Sequence, residues 1–342
     1  MKLFCQQLLT LFRKGMIEER FFSISFYTEK VEGHGEDAPP LLINNEKLHI
    51  VGVFDGMGGA GAATCESSFG EGYTKAYVAS RIIRDTLETF FVSKTGQKIV
   101  VDELKNAIIE RLKIEQENYP PKTKSLLRSK LVRDYPTTMA VISLQGDENQ
   151  WIIDSYWAGD SHNYLWTKDG FFQISKDDLE EANDPMENLH NDSPISNCIC
   201  SDRNFQINHK MISIKKQPVI ILSASDGCFG YYSTPMHFEN MLKECLKKSK
   251  DEKDWQEKVI QRIQVVTGDD TSMSLIAFGF DSFNKLKSIS EVPTKGLREI
   301  LKHEKKIKNL EKDLANKKEL FNNSIKSGWE SYKEGYMKYL NE

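Results

Sequence analysis

The sequence predicts an α+β fold built on mostly antiparallel sheets. Two observations carry this: candidate strands come in consecutive runs, and candidate helices fall in separate pairs with no regular strand–helix alternation. A third is composition. At 39% hydrophobic and 10% aromatic, the 342 residues supply enough apolar side chains for a full core and exclude global disorder.

Residues 21–27 alternate and are aromatic-rich, as a half-buried strand requires. Residues 41–44 and 48–54 form a strand pair around the polar turn Asn45-Glu46-Lys47. Small residues at 58–63 are expected to open a long helical stretch towards Phe91, with a second helix over 101–116. Four strands are expected at 139–144, 151–157, 163–166 and 171–174, separated by Gly, Asp and Asn. Residues 177–207 are polar and irregular, long enough to suggest a functional flap. Strands follow at 211–214 and 219–224, helices at 235–248 and 254–265, and a last strand at 272–280.

Charge divides the chain. The 46 basic and 50 acidic residues give a net −4, but residues 285–342 hold 14 basic against 9 acidic, leaving 32 against 41 in the first 284. An acidic body argues against nucleic acid as a partner. No run reaches the roughly 18 apolar residues of a membrane span, so no membrane partner is expected. Residues 1–20 read as an N-terminal helical segment and not a signal peptide, since no small-residue cleavage pattern follows. Cys5, Cys65, Cys198, Cys200, Cys228 and Cys245 show no metal-knuckle spacing, and Cys198-x-Cys200 is too tight for the usual zinc pair. They read as reduced thiols of a cytoplasmic protein.

The expected organisation is therefore a body over 21–284 and a basic helical arm over 285–342. In the arm Ile300, Ile307, Leu314 and Phe321 sit seven apart, with Leu310 the one apolar residue among the intervening His303, Leu310 and Lys317. An aromatic cluster, Trp329, Tyr332 and Tyr336, with Leu340, ends it. Two readings stand: a solvated helix packing one stripe on its own domain, or a docking or dimerising arm.

Gly56-Met57-Gly58-Gly59-Ala60-Gly61 satisfies G-x-G-x-x-G after an apolar strand, the context of a dinucleotide fingerprint. Two features oppose that reading. Asp55 would face the pyrophosphate, and no acidic residue ends a second strand about 20 positions on; Asp85 is nearest, but lies in helical sequence. A carboxylate at a strand end, with glycines allowing close approach, is instead a good hard-cation ligand. The same construction recurs in Ser225-Asp226-Gly227, in Gly268-Asp269-Asp270 and in Gly159-Asp160-Ser161. Singly each is a turn; four in this order form a set.

Val53-Phe54-Asp55-Gly56-Met57-Gly58-Gly59 resembles the central motif of the metal-dependent serine/threonine phosphatases of the protein phosphatase 2C family, of a divergent bacterial type. Around it, Glu36-Asp37-Ala38 looks like the family's "NEDA", Thr137-Thr138-Met139-Ala140-Val141 like "GTTAV", and Gly159-Asp160-Ser161 like "GDSR". Ser225-Asp226-Gly227 is similar to "SDG", and Gly268-Asp269-Asp270-Thr271-Ser272 to the closing "DNxT". The resemblance covers residues 20–280 and implies a four-layer α-β-β-α sandwich, two antiparallel sheets flanked by helix pairs, with the arm as a C-terminal extension.

It also implies a chemistry. Two Mn²⁺ or Mg²⁺ ions roughly 4 Å apart would activate a bridging water for in-line attack on phosphoserine or phosphothreonine in proteins. Carried over by motif, Asp55 would bridge the metals, the Gly56 carbonyl would complete one sphere, and Asp226 with Asp269 would hold the other. Glu36 would act through a water. Asp270 is the alternative to Asp269, Asp134 is a candidate for a third metal, and Asp160 reads as structural. The paired Thr137 and Thr138 read as strand packing. Where the family carries a phosphate-binding Arg this chain has Glu32, which leaves Lys30 or His34 to take that part. Met57, His162 and Pro136 replace the family's His, Arg and Gly.

The resemblance implies a cytoplasmic signalling enzyme with phosphoprotein substrates. The segment 185–197 is similar to bacterial members linked to kinases, which implies a cognate serine/threonine kinase. The alternative function is a non-catalytic regulator that binds a kinase or other protein through the flap or the C-terminal helix, which could also mediate oligomerisation. A dinucleotide enzyme stands third.

Overall fold

The structure is a computed structural model that describes residues 20–45, 48–120, 132–181, 184–190 and 193–340. The N-terminal helical segment expected over 1–20 therefore lies outside the described residues except for Arg20, as do Glu46 and Lys47 of the expected turn.

In chain order, β1 (Phe21–Thr28), β2 (Leu41–Asn45) and β3 (Leu48–Val53) precede a single helical turn, α1 (Gly58–Gly61). A hairpin follows, β4 (Thr64–Ser67) and β5 (Gly70–Thr74), then helices α2 (Lys75–Ser93) and α3 (Val101–Asn118). Strands β6 (Met139–Gly146), β7 (Gln150–Ala158), β8 (His162–Thr167) and β9 (Gly170–Gln173) form a run. After the short α4 (Pro185–Asn188) come β10 (Asn208–Lys215), β11 (Val219–Ala224), α5 (Asp226–Phe229), α6 (Pro235–Lys248), α7 (Glu252–Gln264), β12 (Thr271–Phe278) and α8 (Phe283–Lys287).

Two five-stranded sheets carry the body, in the orders β1-β12-β11-β8-β9 and β10-β7-β6-β3-β2, and every pairing is antiparallel. Side-chain alternation explains the layering. In β11, Val219 and Ile221 enter the core between the sheets, with Val51, Ile142, Trp151 and Ile276. Ile220 and Leu222 point the other way, onto Phe238, Met241 and Leu242 of α6 and Trp255 and Val259 of α7. In β6, Ile142 and Leu144 face inward, while Met139 and Val141 meet Val78, Ile82 and Leu87 of α2 and Leu104 and Ile108 of α3. Helix pair, sheet, sheet and helix pair make the four layers expected.

Two expectations change. The helix expected to run from 58–63 towards Phe91 is broken by the β4–β5 hairpin, where Gly70 (φ +112) and Gly72 (φ +89) adopt backbone angles that glycine alone takes freely. Residues 285–292, expected in the arm, belong to the first compact unit, which extends to Val292; Leu286 and Ile289 are buried in the α6–α7 core. The second unit, from Pro293, is by itself one long helix, α9 (Leu297–Tyr336). Its Ile307, Leu310, Leu314, Phe321, Ile325, Trp329, Tyr332 and Tyr336 are all exposed. Among the described residues no helix is long and apolar enough to cross a membrane.

Candidate active site

Strand register gathers the acidic residues at one end of the sandwich. Thr28 at the end of β1 pairs with Thr271 at the start of β12. Ala224 at the end of β11 pairs with Met273 on one side and with His162, the first residue of β8, on the other. In the second sheet, the end of β3 (Val53) and the end of β7 (Ala158) flank the first residues of β6. Glu36, Asp37, Asp55, Asp160, Asp269 and Asp270 lie in the loops that leave or enter these strand ends, and Asp226 opens α5 two residues beyond β11.

Each loop is held by its own polar framework. The Asp55 carbonyl accepts from Thr137 Oγ1 (2.7 Å) and from the Thr138 amide (2.8 Å), so the paired threonines do more than pack. Thr138 Oγ1 in turn lies 2.7 Å from Ser161 Oγ. A Cβ on Gly56 would sit 2.6 Å from the Glu36 carbonyl and 2.7 Å from that of Ala76; one on Gly227 would sit 1.8 Å from the Asp270 carbonyl. Both glycines are required for backbone-to-backbone approach. Arg81 on α2, sequestered from solvent and stacked 3.4 Å from the Tyr77 ring centre, donates to the carbonyls of Gly35 and Glu36 and fixes that loop from below.

The acids act on one another. Burial pushes Asp55 well above the ordinary carboxylate range, and Asp37, Asp226 and Asp160 push it further. Asp37, 2% exposed, is pushed up to about 8, chiefly by burial, against a hydrogen bond from Ser225 Oγ at 2.8 Å. Asp160 is raised by burial and by Asp226. Glu36 is raised by burial and by Asp270 and Asp269, opposed by the hydrogen bond from Thr74 Oγ1 at 2.6 Å. Asp269 is raised by burial and by Asp226.

Asp269 and Asp270 separate by their contacts. Both Asp270 oxygens accept from loop amides, Lys30 N–H and Glu36 N–H, each at 2.7 Å. Asp269 accepts from the Asp270 amide at 2.9 Å and feels the charge of Asp226. Lys30 is exposed, and its ammonium acts on Asp269; His34 is exposed, with its backbone in a turn to Val31. Asp134 is paired with Lys75, accepts from Gln116 (2.7 Å) and Ser201 (3.1 Å), and lies in the surroundings of Cys65 and Tyr135. A third metal there would have to displace the Lys75 ammonium.

His162 has a different occupation from an anion-binding Arg. It is buried, stacked 3.9 Å from the Phe229 ring, with Nε2 2.5 Å from Asp177 Oδ1 and Nδ1 2.7 Å from the Tyr164 hydroxyl. Asp177 also accepts from Asn188 of α4 at 2.7 Å. Asp178 accepts from the Gly159 amide, Asn197 and Asn208. The flap is thus tied at its root beside Asp160; α4 is its one helix among the described residues.

The donor set suits a hard divalent cation. It is made of carboxylates, the charges that dominate at Asp55 are all acidic, and buried net charge of one sign needs a counter-ion. As placed, Asp37 accepts from Ser225 and Asp269 and Asp270 from loop amides, and among the described residues no three acidic, histidine or cysteine side chains surround a common point at ligand distance. A cation held there would offset the like charges that these acids impose on one another.

Sequence reasoning placed Asp55, Asp226, Asp269, Asp270 and Glu36 at one site and took Asp160 as structural. It gave no part to Asp37, Ser225 or Arg81. Asp37 had a signal, since it adjoins Glu36 in the same motif; Arg81 had none, because only the packing of α2 carries it under the loop.

The family model of protein phosphatase 2C matches residues 34–264. No curated protein matches the chain. Among solved structures, a bacterial serine phosphatase aligns with a TM-score of 0.51 at 18% identity, over 78% of this chain and 100% of that one. The serine/threonine phosphatase PstP/Ppp of Mycobacterium tuberculosis aligns at 0.50 and 16%, over 76% and 97%. The Ser-Thr phosphatase MsPP of Mycobacterium smegmatis, solved with cacodylate, aligns at 0.50 and 13%, over 76% and 98%. At these identities the likeness is one of fold. The matched span ends before Asp269 and begins after Lys30, so those residues rest on the geometry above.

Proposed function

The chain belongs to the protein phosphatase 2C family, and from that premise we propose that it hydrolyses phosphoserine and phosphothreonine in proteins with Mn²⁺ or Mg²⁺. The observation that carries this is the acid group Asp37, Asp55, Asp160 and Asp226, in which Asp226 raises the pKa of the other three with no cation among the dominant charges.

Asp55, the Gly56 carbonyl, Asp226 and Asp269 would hold two divalent cations, with Glu36 acting through water. Held there, such ions neutralise phosphoryl oxygens and lower the pKa of water. The chain's own residues supply the rest. Asp55 is oriented through its carbonyl by Thr137 and Thr138. Ser225, itself accepting from the Ser272 amide at 2.9 Å, orients Asp37. Asp270 and Arg81 hold the loop that carries Glu36. Lys30, whose charge acts on Asp269, would meet a phosphoryl oxygen in place of the Arg of other members.

Manganese-dependent hydrolysis of p-nitrophenyl phosphate, with Asp55→Asn as control, tests the reading. Equal rates for wild type and variant would sink it. A second reading, a non-catalytic regulator, is favoured by Glu32 standing where the family has its phosphate-binding Arg. No detectable hydrolysis, together with loss of partner binding on deleting residues 294–342, would establish it instead.

A further inference from the structure

The helix α9 (Leu297–Tyr336) runs unbroken for 40 residues, about 60 Å at 1.5 Å a residue. Its apolar side chains follow an eleven-residue rhythm. Leu310, Phe321 and Tyr332 stand eleven apart, as do Leu314, Ile325 and Tyr336, and Ile307 and Trp329 are two such steps apart with Lys318 between them. Eleven residues make three turns at about 3.67 a turn, so these side chains keep to one stripe of a nearly straight helix. The seven-residue spacing of Ile307, Leu314 and Phe321, by contrast, runs out at Gly328. Every apolar residue of the stripe is at least 44% exposed. Trp329, Tyr332 and Tyr336 already touch one another, with ring centres 5.7, 5.8 and 6.4 Å apart, so one end of the stripe is an aromatic ridge.

We propose that this stripe pairs with the same stripe of a second copy of the chain, the two helices running antiparallel about a point between Glu319 and Leu320. That arrangement sets Ile307 opposite Tyr332, Leu310 opposite Trp329 and Leu314 opposite Ile325, so the aromatic ridge of one copy lies on the aliphatic half of the other. Lys318, the cation within the stripe, falls opposite Phe321, where an ammonium on a ring face is favourable. Charge sorts the same way. Glu304 and Glu311 stand on one flank of the stripe in the first half of the helix, and Lys326 and Lys333 stand on that same flank in the second half. Flanking charges set the orientation of paired helices, and the antiparallel order brings the acidic half of this flank against the basic half. A parallel pair in register would instead set Lys318 against Lys318.

The area suffices. Phe321, Trp329, Tyr332 and Tyr336 can each cover roughly 150–250 Å², so together with the aliphatic residues a copy reaches the roughly 800 Å² of a stable interface. A lipid surface is the poorer occupant. It would want a polar face of basic residues, whereas Glu304, Glu311, Asp313, Glu319, Glu330 and Glu334 are interleaved with the lysines here. The inference rests on α9 alone and on no reading of the catalytic site.

Sedimentation equilibrium of the full-length chain over a range of concentrations tests the pairing, with circular dichroism to check that each variant keeps its helix. The wild type is expected to form a dimer, and Leu314→Glu combined with Ile325→Glu to stay monomeric up to about 100 μM. Glu311→Lys alone is expected to weaken the dimer about tenfold, because both symmetry-related contacts turn from attraction to repulsion. Adding Lys326→Glu is expected to restore it, which a merely apolar association would not show. Carbodiimide cross-linking of mixed isotope-labelled and unlabelled chains is expected to join Glu311 of one copy to Lys326 of the other. A wild type that is monomeric up to about 100 μM, a dimer untouched by the double glutamate variant, or a charge swap that restores nothing would each overturn the proposal. So would a monomeric wild type that pellets with phosphatidylserine vesicles while the double glutamate variant does not, since the stripe would then belong to a lipid surface.

Discussion

Asp177 and Asp55 lie at the same end of the sandwich in opposite electrical surroundings. Burial works against the charged form of Asp177, but the His162 imidazole and its hydrogen bond outweigh it, and the carboxyl is held below the usual range. Burial works the same way on Asp55, and its neighbours Asp37, Asp226 and Asp160 add to it. Asp177 already has its partners in His162 and Asn188, so it is part of the scaffold that ties the flap. The charges that dominate at Asp55 are all acidic, the surroundings that the proposed cation site requires. Family motifs mark Asp55 but are silent on Asp177; it is the partners that separate the two acids.

The sharpest way to break this comparison is activity. Asp55→Asn is expected to reduce manganese-dependent hydrolysis on the order of 1,000-fold, since metal charge stabilisation is worth several kcal/mol. Asp177→Asn, which touches no proposed ligand, is expected to retain most of the rate. Similar losses in steady-state assays of the two variants would erase the distinction.

Stability is expected to reverse the order. Leaving a buried group without its hydrogen-bond partner costs about 1–3 kcal/mol, so Asp177→Asn should melt below wild type. Asp55→Asn in metal-free buffer should melt at or above it, because an uncompensated carboxylate is gone. Thermal unfolding in chelator reads both.

Manganese is expected to raise the melting temperature of wild type and of Asp177→Asn alike. At 100-fold excess over its dissociation constant the gain is about 2.7 kcal/mol, or roughly 5–10 °C for a body of this size. Asp55→Asn should show little of it. A melting temperature unmoved by chelation in wild type would count against a metal site.

The smallest effect is in pH. Asp37, raised to about 8, favours the folded state while it is protonated there. That contribution is full below the ordinary value near 3.8 and is lost as pH rises through about 8. Asp177, lowered, contributes above its ordinary value and loses that contribution on acidification. Metal-free stability should therefore decline between about pH 4 and 8 in wild type. Asp37→Asn should flatten that decline, and Asp177→Asn should flatten the acid limb instead.

Much of this was legible along the chain. The strand runs, the paired helices and the Asp-Gly punctuation at 55, 159–160 and 226–227 gave the architecture and five acids of the site, because alternation and strand-end chemistry are local properties. The β4–β5 hairpin was missed: Thr64 to Thr74 lacks the two-residue Asn-Gly or Asp-Gly signal that marks tight hairpins, and the flanking small residues read as helix. The arm boundary was misplaced for a related reason, as Leu286 and Ile289 look no different in sequence from the exposed Ile307 and Leu310.

By itself, the sequence determined which residue types stand at which strand ends and that they form a recognisable set. Only the tertiary structure decided their partners: that Asp134 meets Lys75, that Asp177 meets His162, that Arg81 rises beneath the Glu36 loop, and that Asp226 acts on Asp37, Asp55 and Asp160 together. The reason is physical. A carboxylate's pKa, and with it its part in the molecule, is set by charges and burial within a few ångströms in space, and residues as far apart in the chain as Asp37 and Asp226 become neighbours only when the two sheets close.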